Sequence, residues 1–174
     1  VARLARHLAG FGEILQADLL GFRRVGHLRP APLPGGDLAA RNPWRAALGY
    51  LMLDHHLAPA FALALDGVQE AERAMAEMQA TRGVNAPWAS SMGRLFDAAA
   101  AVLGLRLKAE FEGQAAMELE SLAGRRVASE IRVGLERTNG GAWIIDPLHL
   151  LAVIGSRRQR GDDLADLAAD FHAS

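Results

Sequence analysis

Residues 30–36, Pro-Ala-Pro-Leu-Pro-Gly-Gly, constrain this chain more than any other stretch. Each proline fixes φ and removes a backbone donor, so the segment can be neither helix interior nor central strand. It reads as an extended connector, and it separates two styles of sequence. Upstream, residues 13–19 alternate, with Leu15, Ala17 and Leu19 on one face, and Gly21 breaks the run. Residues 22–29 follow as a polar strand carrying Arg23, Arg24 and His27. Two strands around one glycine predict a hairpin. Val1–Gly10, with Arg3, Arg6 and His7 among apolar residues, reads as a short amphipathic helix rather than a signal peptide, because it has no continuous apolar stretch.

Downstream the period changes to that of helices. Asn42-Pro43 is a start signal, since Asn can cap and Pro at the first position sacrifices no hydrogen bond. Trp44, Ala47, Leu48, Leu51 and Met52 then form one stripe. A second helix is predicted over 67–80, with Val68, Ala71, Met75 and Met78 inward. A third starts near Ser90 or Ser91, turns Met92, Leu95, Phe96, Ala99, Val102 and Leu103 to the core, and ends at Gly104. Residues 113–123 are helical, with Ala115, Leu119 and Leu122 inward. Residues 127–135 alternate, placing Val127, Ile131, Val133 and Leu135 on one side of a strand. Asn139-Gly140-Gly141 supplies the turn that returns Ala142–Ile145 as its partner. Asp146-Pro147 opens another helix, and Leu164, Leu167, Ala168 and Phe171 mark a last one behind Asp162. The expectation is one α+β domain over residues 1–174, helix-rich, with two short β pairs.

Composition narrows the function classes. The net charge is −1, so there is no electrostatic reason to expect nucleic acid or a membrane surface as partner. The longest apolar run, Ala98 to Leu105, is far below membrane-spanning length. Cysteine is absent, which excludes disulfides and thiolate metal sites and fits a cytoplasmic protein. None of the six histidines pairs with another at the four-residue spacing that aligns two imidazoles on a helix. His55 and His56 point about 100° apart if helical and read as residues near a helix C-terminus. Ser90 and Ser91 sit in no nucleophile elbow. They read as helix caps, or as the start of an anion- or ligand-binding helix end. Glu112-Gly113-Gln114 reads as an ordinary turn or a ligand loop.

Two stretches carry a resemblance. Asn85 to Gly104, containing Ser90-Ser91-Met92-Gly93-Arg94-Leu95-Phe96-Asp97, and Phe111 to Glu120, containing Phe111-Glu112-Gly113-Gln114-Ala115-Ala116, resemble two signatures of HypF-type carbamoyltransferases. Weaker stretches agree in order: Gly12–Leu15 with Gly21–Gly26, Pro32–Asp37 with Pro43-Trp44-Arg45, and Asp146-Pro147. The resemblance covers residues 10–174. It implies a helix-rich fragment of an actin/Hsp70-like (ASKHA) ATPase-type module. It also implies an enzyme that passes a carbamoyl group from carbamoyl-adenylate to a cysteine of HypE, for the cyanide ligand of [NiFe]-hydrogenase. ATP or carbamoyl-adenylate would be the bound nucleotide and a HypE-like protein the partner.

By this resemblance Ser90, Ser91, Gly93, Asp97 and Gly104 fall where related transferases contact the nucleotide, and Glu112, Gly113 and Gln114 fall on the neighbouring loop. The family's metal-binding histidine motif, its later metal-ligating Asp segment, and its acylphosphatase-like, zinc-finger and YrdC-like parts have no counterpart in these residues. Residues 1–9 match nothing in the family, Ala89 stands in place of Thr, and Phe111 in place of Tyr. A partial module of this kind is expected to be inactive alone, to hold no metal, and, as an incomplete half of a fold, to be able to pair as a homodimer. Two other readings stay open: a non-catalytic remnant that binds a nucleotide or a partner, and a piece of an antibiotic O-carbamoyltransferase of the same superfamily.

Overall fold

Strands β1 (Glu13–Ala17) and β2 (Phe22–Leu28) form the hairpin expected around Gly21 in the structure, a computed structural model that describes residues 12–174. The helix expected over Val1–Gly10 lies outside the described residues. Asp18 closes the hairpin turn, its Oδ1 accepting from the N–H groups of Leu20 (2.8 Å) and Gly21 (3.0 Å). The apolar face predicted for β1 is not buried. Leu15 and Ala17 are exposed, and Leu19 lies in the turn itself.

The proline segment does more than connect. Ala31–Pro32 forms β3, which pairs antiparallel with β4 (Trp88–Ala89). A two-residue ladder has no interior position, so the donor that Pro32 lacks is not missed. A 3-10 turn, Gly36–Ala40, then leads into α1 (Pro43–Leu51), with Pro43 at its first turn and every residue buried. Asn42 makes no capping bond; its Nδ2 donates instead to the Leu38 carbonyl at 2.8 Å. His55 and His56 open a second 3-10 turn, His55–Phe61, where Asp54 Oδ1 accepts from the His56 N–H at 3.0 Å. Both imidazoles are exposed.

The centre of the molecule is α4 (Met92–Val102). Its Ala98, Ala99, Ala100 and Ala101 are all fully buried, so the helix is enclosed on every side rather than on one stripe. It packs against α1, α2 (Ala62–Leu65), α5 (Gln114–Ala123) and α6 (Leu148–Gln159). The four alanines are small enough to let these neighbours close in. Phe96 is only partly buried and Met92 is exposed, against the expectation that both point to the core, because both line an open apolar cleft shared with Val133 and Phe171.

The helix predicted over 67–80 is α3 (Glu70–Arg82), and its predicted stripe is corrected. Ala71 and Met75 are exposed, Val68 and Met78 are half-buried, and Ala76 is the one residue of α3 that is fully buried. The helix leans on α1 through that narrow seam.

The strand predicted over 127–135 is also corrected. Only β5 (Gly134–Arg137) forms a ladder, and Val127 is 98% exposed. Two backbone donors ahead of it are satisfied by the last helix, α7 (Leu164–Ala173), and the residue that follows it, instead of by a strand. The Ser129 N–H donates to Asp170 Oδ1 (2.6 Å) and the Ile131 N–H to Ser174 Oγ (2.7 Å). β5 turns through Asn139-Gly140-Gly141 into β6 (Trp143–Asp146), with Gly141 at φ +84°.

The two β pairs are not separate, as expected from sequence, but one sheet in the order β1-β2-β6-β5. β2 and β6 run parallel, matching Gly26 to Trp143 and Leu28 to Ile145. Arg29 secures this junction by pairing with Asp146 at 2.8 Å and with Glu136. Asp146 Oδ1 also accepts from the Leu148 N–H at 3.0 Å and so starts α6. Asp163 starts α7, behind Asp162 as expected, by accepting from the N–H groups of Ala165 and Asp166. Asp162 pairs with Arg157 instead. Among the described residues no helix is long and apolar enough to cross a membrane.

Candidate functional site

The start of α4 is held in place from a distance. Gly35 N–H donates to the Asn85 carbonyl and Leu33 N–H to the Pro87 carbonyl, both at 2.8 Å, and β3–β4 continues the seam to Ala89. Asn85 takes φ +48°, the one non-glycine residue described with positive φ. The proline segment thus lashes down the run into the helix. Ser91 occupies the cap position with an extended backbone, but its side chain makes no capping bond. Ser90 is 2% exposed. The capping role read from sequence is therefore not performed by either hydroxyl. Gly93 is exposed, and a Cβ there would find only Ser91 Oγ, at 3.8 Å.

A cavity of about 220 Å³ opens at this helix start, lined by Leu33, Gly36, Asp37, Ala40, Ala89, Ser91, Arg94 and Glu112. Leu33, Ala40 and Ala89 give it apolar walls, while Asp37, Ser91, Arg94 and Glu112 give it a polar rim. Ser91 and Glu112, distant in sequence, are brought to one opening. Larger hollows lie elsewhere, among them two that stand out. One is an open recess at the β1–β2 turn, and one is an apolar cleft of about 410 Å³ between Leu28, Phe96, Val133 and Phe171. Neither contains a residue from the predicted site.

Arg94 is the residue that the sequence reading passed over. Its Nη1 lies 2.8 Å from Asp97 Oδ2, one turn deeper in α4, and the Arg94 side chain is 15% exposed. The contact is a charge pair that is off-line for a hydrogen bond, so both atoms are buried without a hydrogen-bond partner. Asp97 is 3% exposed. Burial pushes its carboxyl up to about 6, with Arg94 pulling the other way and the nearby Glu112 carboxylate adding to the rise. The i,i+3 spacing of Arg94 and Asp97 on a predicted helix was the sequence signal that could have found this pair.

The loop opposite is built by α5. Gly113, at φ +82°, is the turn into the helix. Gln114 is buried and fully engaged: its Oε1 accepts from the Glu110 N–H at 2.7 Å and its Nε2 donates to Glu118 Oε1 at 3.0 Å. Arg106 grips Glu118 through two hydrogen bonds, at 2.9 and 2.5 Å, which hold the Glu118 carboxyl below the ordinary range and push the Arg106 guanidinium up. Gln114 therefore fastens the loop, and Glu112 stands exposed on the cavity rim. Gly104 is not brought to this place. It lies at the far end of α4, roughly 16 Å along the axis for an 11-residue helix, where a Cβ would meet Leu63. Among the described residues no three His, Asp or Glu side chains converge as a group able to hold a metal ion.

A helix-rich unit with a small mixed sheet and a cavity at one helix start defines a class that comparison makes specific. Residues 10–174 match the family described as carbamoyltransferase, Kae1-like domain, second subdomain. Carbamoyltransferase HypF of Rhodobacter capsulatus is 48% identical over 170 residues, covering 94% of this chain and 20% of that protein. Carbamoyltransferase HypF2 of Cupriavidus necator is 38% identical over 185 residues, covering 94% and 22%. The crystal structure of full-length HypF in its phosphate- and nucleotide-bound form superposes with a TM-score of 0.84 at 35% identity, over 93% of this chain and 21% of that one. The structure of T. kodakarensis HypF superposes with a TM-score of 0.72 at 30% identity, over 94% and 22%. The chain belongs to the HypF carbamoyltransferase family. It spans a fifth of the length of the curated relatives it matches.

Proposed function

We propose that this chain is the nucleotide-facing part of an enzyme that moves a carbamoyl group from carbamoyl-adenylate to a HypE cysteine during synthesis of the [NiFe]-hydrogenase cyanide ligand. It would act as one unit within an actin/Hsp70-like module. The observation that carries the reading is the convergence of the α4 start with the Glu112 loop on one cavity beside a buried, incompletely bonded charge pair. Membership of the HypF family, and a relative solved with nucleotide bound, support it.

In this reading Ser90 and Ser91 supply the helix-start backbone, Gly93 leaves room for the ligand, and Asp97 sits behind Arg94. Glu112 and Gly113 form the facing rim, and Gln114 keeps that rim in place. Such a site binds and orients a nucleotide. Gly104 has no contact role here. Titrating ATP into isotope-labelled chain is expected to shift the amide signals of Ser91, Gly93 and Gly113 while that of Gly104 stays fixed. An unchanged spectrum refutes the nucleotide reading. The chain alone is expected to show no carbamoyl-phosphate-dependent ATP–pyrophosphate exchange, and robust exchange would overturn the view that it is a part rather than the whole catalyst.

A further inference from the structure

We propose that Arg45, a buried residue of α1 that does not line the cavity, is a positioning residue: it fixes the Pro34–Gly36 turn and, through that turn, the cavity wall made by Leu33 and Gly36. The proposal rests on the nucleotide reading above and adds to that site a residue which touches no ligand.

Burial makes Arg45 costly to keep. It is 9% exposed, and it forms no ion pair among the described residues. Its Nη1 has two acceptors, the Pro34 carbonyl and Gln79 Oε1, each at 3.5 Å, longer than a good hydrogen bond. Its Nε is buried with no hydrogen-bond partner. Burial holds the guanidinium below its ordinary range, with the Glu72 carboxylate pulling the other way. The Trp44 ring, 4.6 Å from Cζ, returns part of the lost hydration. A buried cation partnered this weakly does little for stability, and an apolar side chain of similar length would serve the core as well or better.

The guanidinium does serve geometry. Its two acceptors belong to different segments, Pro34 to the proline turn and Gln79 to α3, so Arg45 ties α1 to both. The turn lies directly against it. A Cβ at Gly35 would stand 3.0 Å from Nη1 and 3.5 Å from Cζ, and Gly35 sits at φ +87°, so only glycine allows this approach. The same turn builds the site. Gly35 N–H reaches the Asn85 carbonyl on the run into α4, and Leu33 and Gly36 line the cavity. A charged fork at this point therefore sets where one wall stands, at the expense of the core that holds it.

Arg45→Met tests this, because it keeps a long apolar stem and removes the bridge. Three readouts are compared with the unaltered chain. The melting temperature is expected to stay the same or rise by about 2–4 °C. ATP, titrated calorimetrically, is expected to bind about tenfold more weakly, since a loosened wall must be ordered on binding. The Gly35 and Gly36 amides are expected to exchange about tenfold faster, while amides inside α4 keep their protection. Gln79→Leu alone should weaken ATP by a smaller factor, and added to Arg45→Met it should change nothing further. A lowered melting temperature makes Arg45 an ordinary prop of the core and overturns the proposal. Undiminished ATP affinity in Arg45→Met, or unaltered exchange at Gly35 and Gly36, overturns it too. If the unaltered chain binds no ATP, the nucleotide reading fails, and exchange and melting temperature decide the role of Arg45 by themselves.

Discussion

Replacing Gly49 by alanine tests how the proline segment is locked to the core. Gly49 lies inside α1, fully surrounded. A Cβ built there sits 2.0 Å from the Pro32 carbonyl oxygen and 3.3 Å from its carbonyl carbon. Ordinary contact begins near 3.4 Å, so α1 and β3 must separate by more than an ångström, and the obstacle is backbone that cannot rotate away. In an open helix the same change would stabilise by roughly 1 kcal/mol through propensity. Overpacking a filled interior costs about 1–3 kcal/mol, and the severity of this clash puts Gly49 at the upper end. We expect a net loss of about 2 kcal/mol. Urea unfolding followed by tryptophan fluorescence is well suited, since Trp44 lies on α1 and Trp88 on β4, paired directly with Pro32. The midpoint should fall with the slope unchanged. Because β3 pairs with β4 directly ahead of Ser90, nucleotide affinity should fall too. A Gly49→Ala chain as stable as the original would refute the claim that α1 presses on Pro32.

Two further outcomes follow from the site. The Asp97 carboxyl is raised from its ordinary 3.8 to about 6, so the folded chain holds this proton where the unfolded chain has released it. Stability should therefore fall as pH rises from about 4 to about 6, by on the order of 2 kcal/mol. That slope should vanish in Asp97→Asn, and a wild-type stability that instead rises through this window would contradict the burial argument. Gln114→Ala should leave the Glu110 N–H without its acceptor and cost about 1 kcal/mol. Hydrogen exchange at the Glu110 amide should accelerate while that of the α4 interior does not; unchanged protection at Glu110 would show that Gln114 is not what fastens the loop.

Much of the helical framework was legible in the residues themselves. Pro43 at a first turn, Gly104 and Gly113 at helix boundaries and Asn139-Gly140-Gly141 at a turn act through φ preferences and donors within a few residues. The start of α4 near Ser91 follows from the same short-range signals, whereas the one-sided stripe expected for α1 does not survive, since every residue of that helix is buried. The two signatures around Ser90 and Glu112 identified the family, because they are contiguous strings.

Only the folded chain decided the rest. The burial of all sides of α4, the narrow Ala76 seam of α3 and the exposure of Val127 depend on which neighbours arrive, and a residue's own period does not encode them. The joining of the two β pairs matches Gly26 to Trp143 across more than a hundred residues, and no local signal spans that interval. The site obeys the same division. Ser90, Ser91 and Glu112 could be named from their strings, yet their distances could not, and Gly104 lies at the other end of the helix. Arg94 acquires its meaning from burial beside Asp97, where loss of solvent changes the electrostatics of an ordinary helical i,i+3 pair. Short-range stereochemistry is written residue by residue, whereas desolvation and cavity shape exist only once distant segments meet.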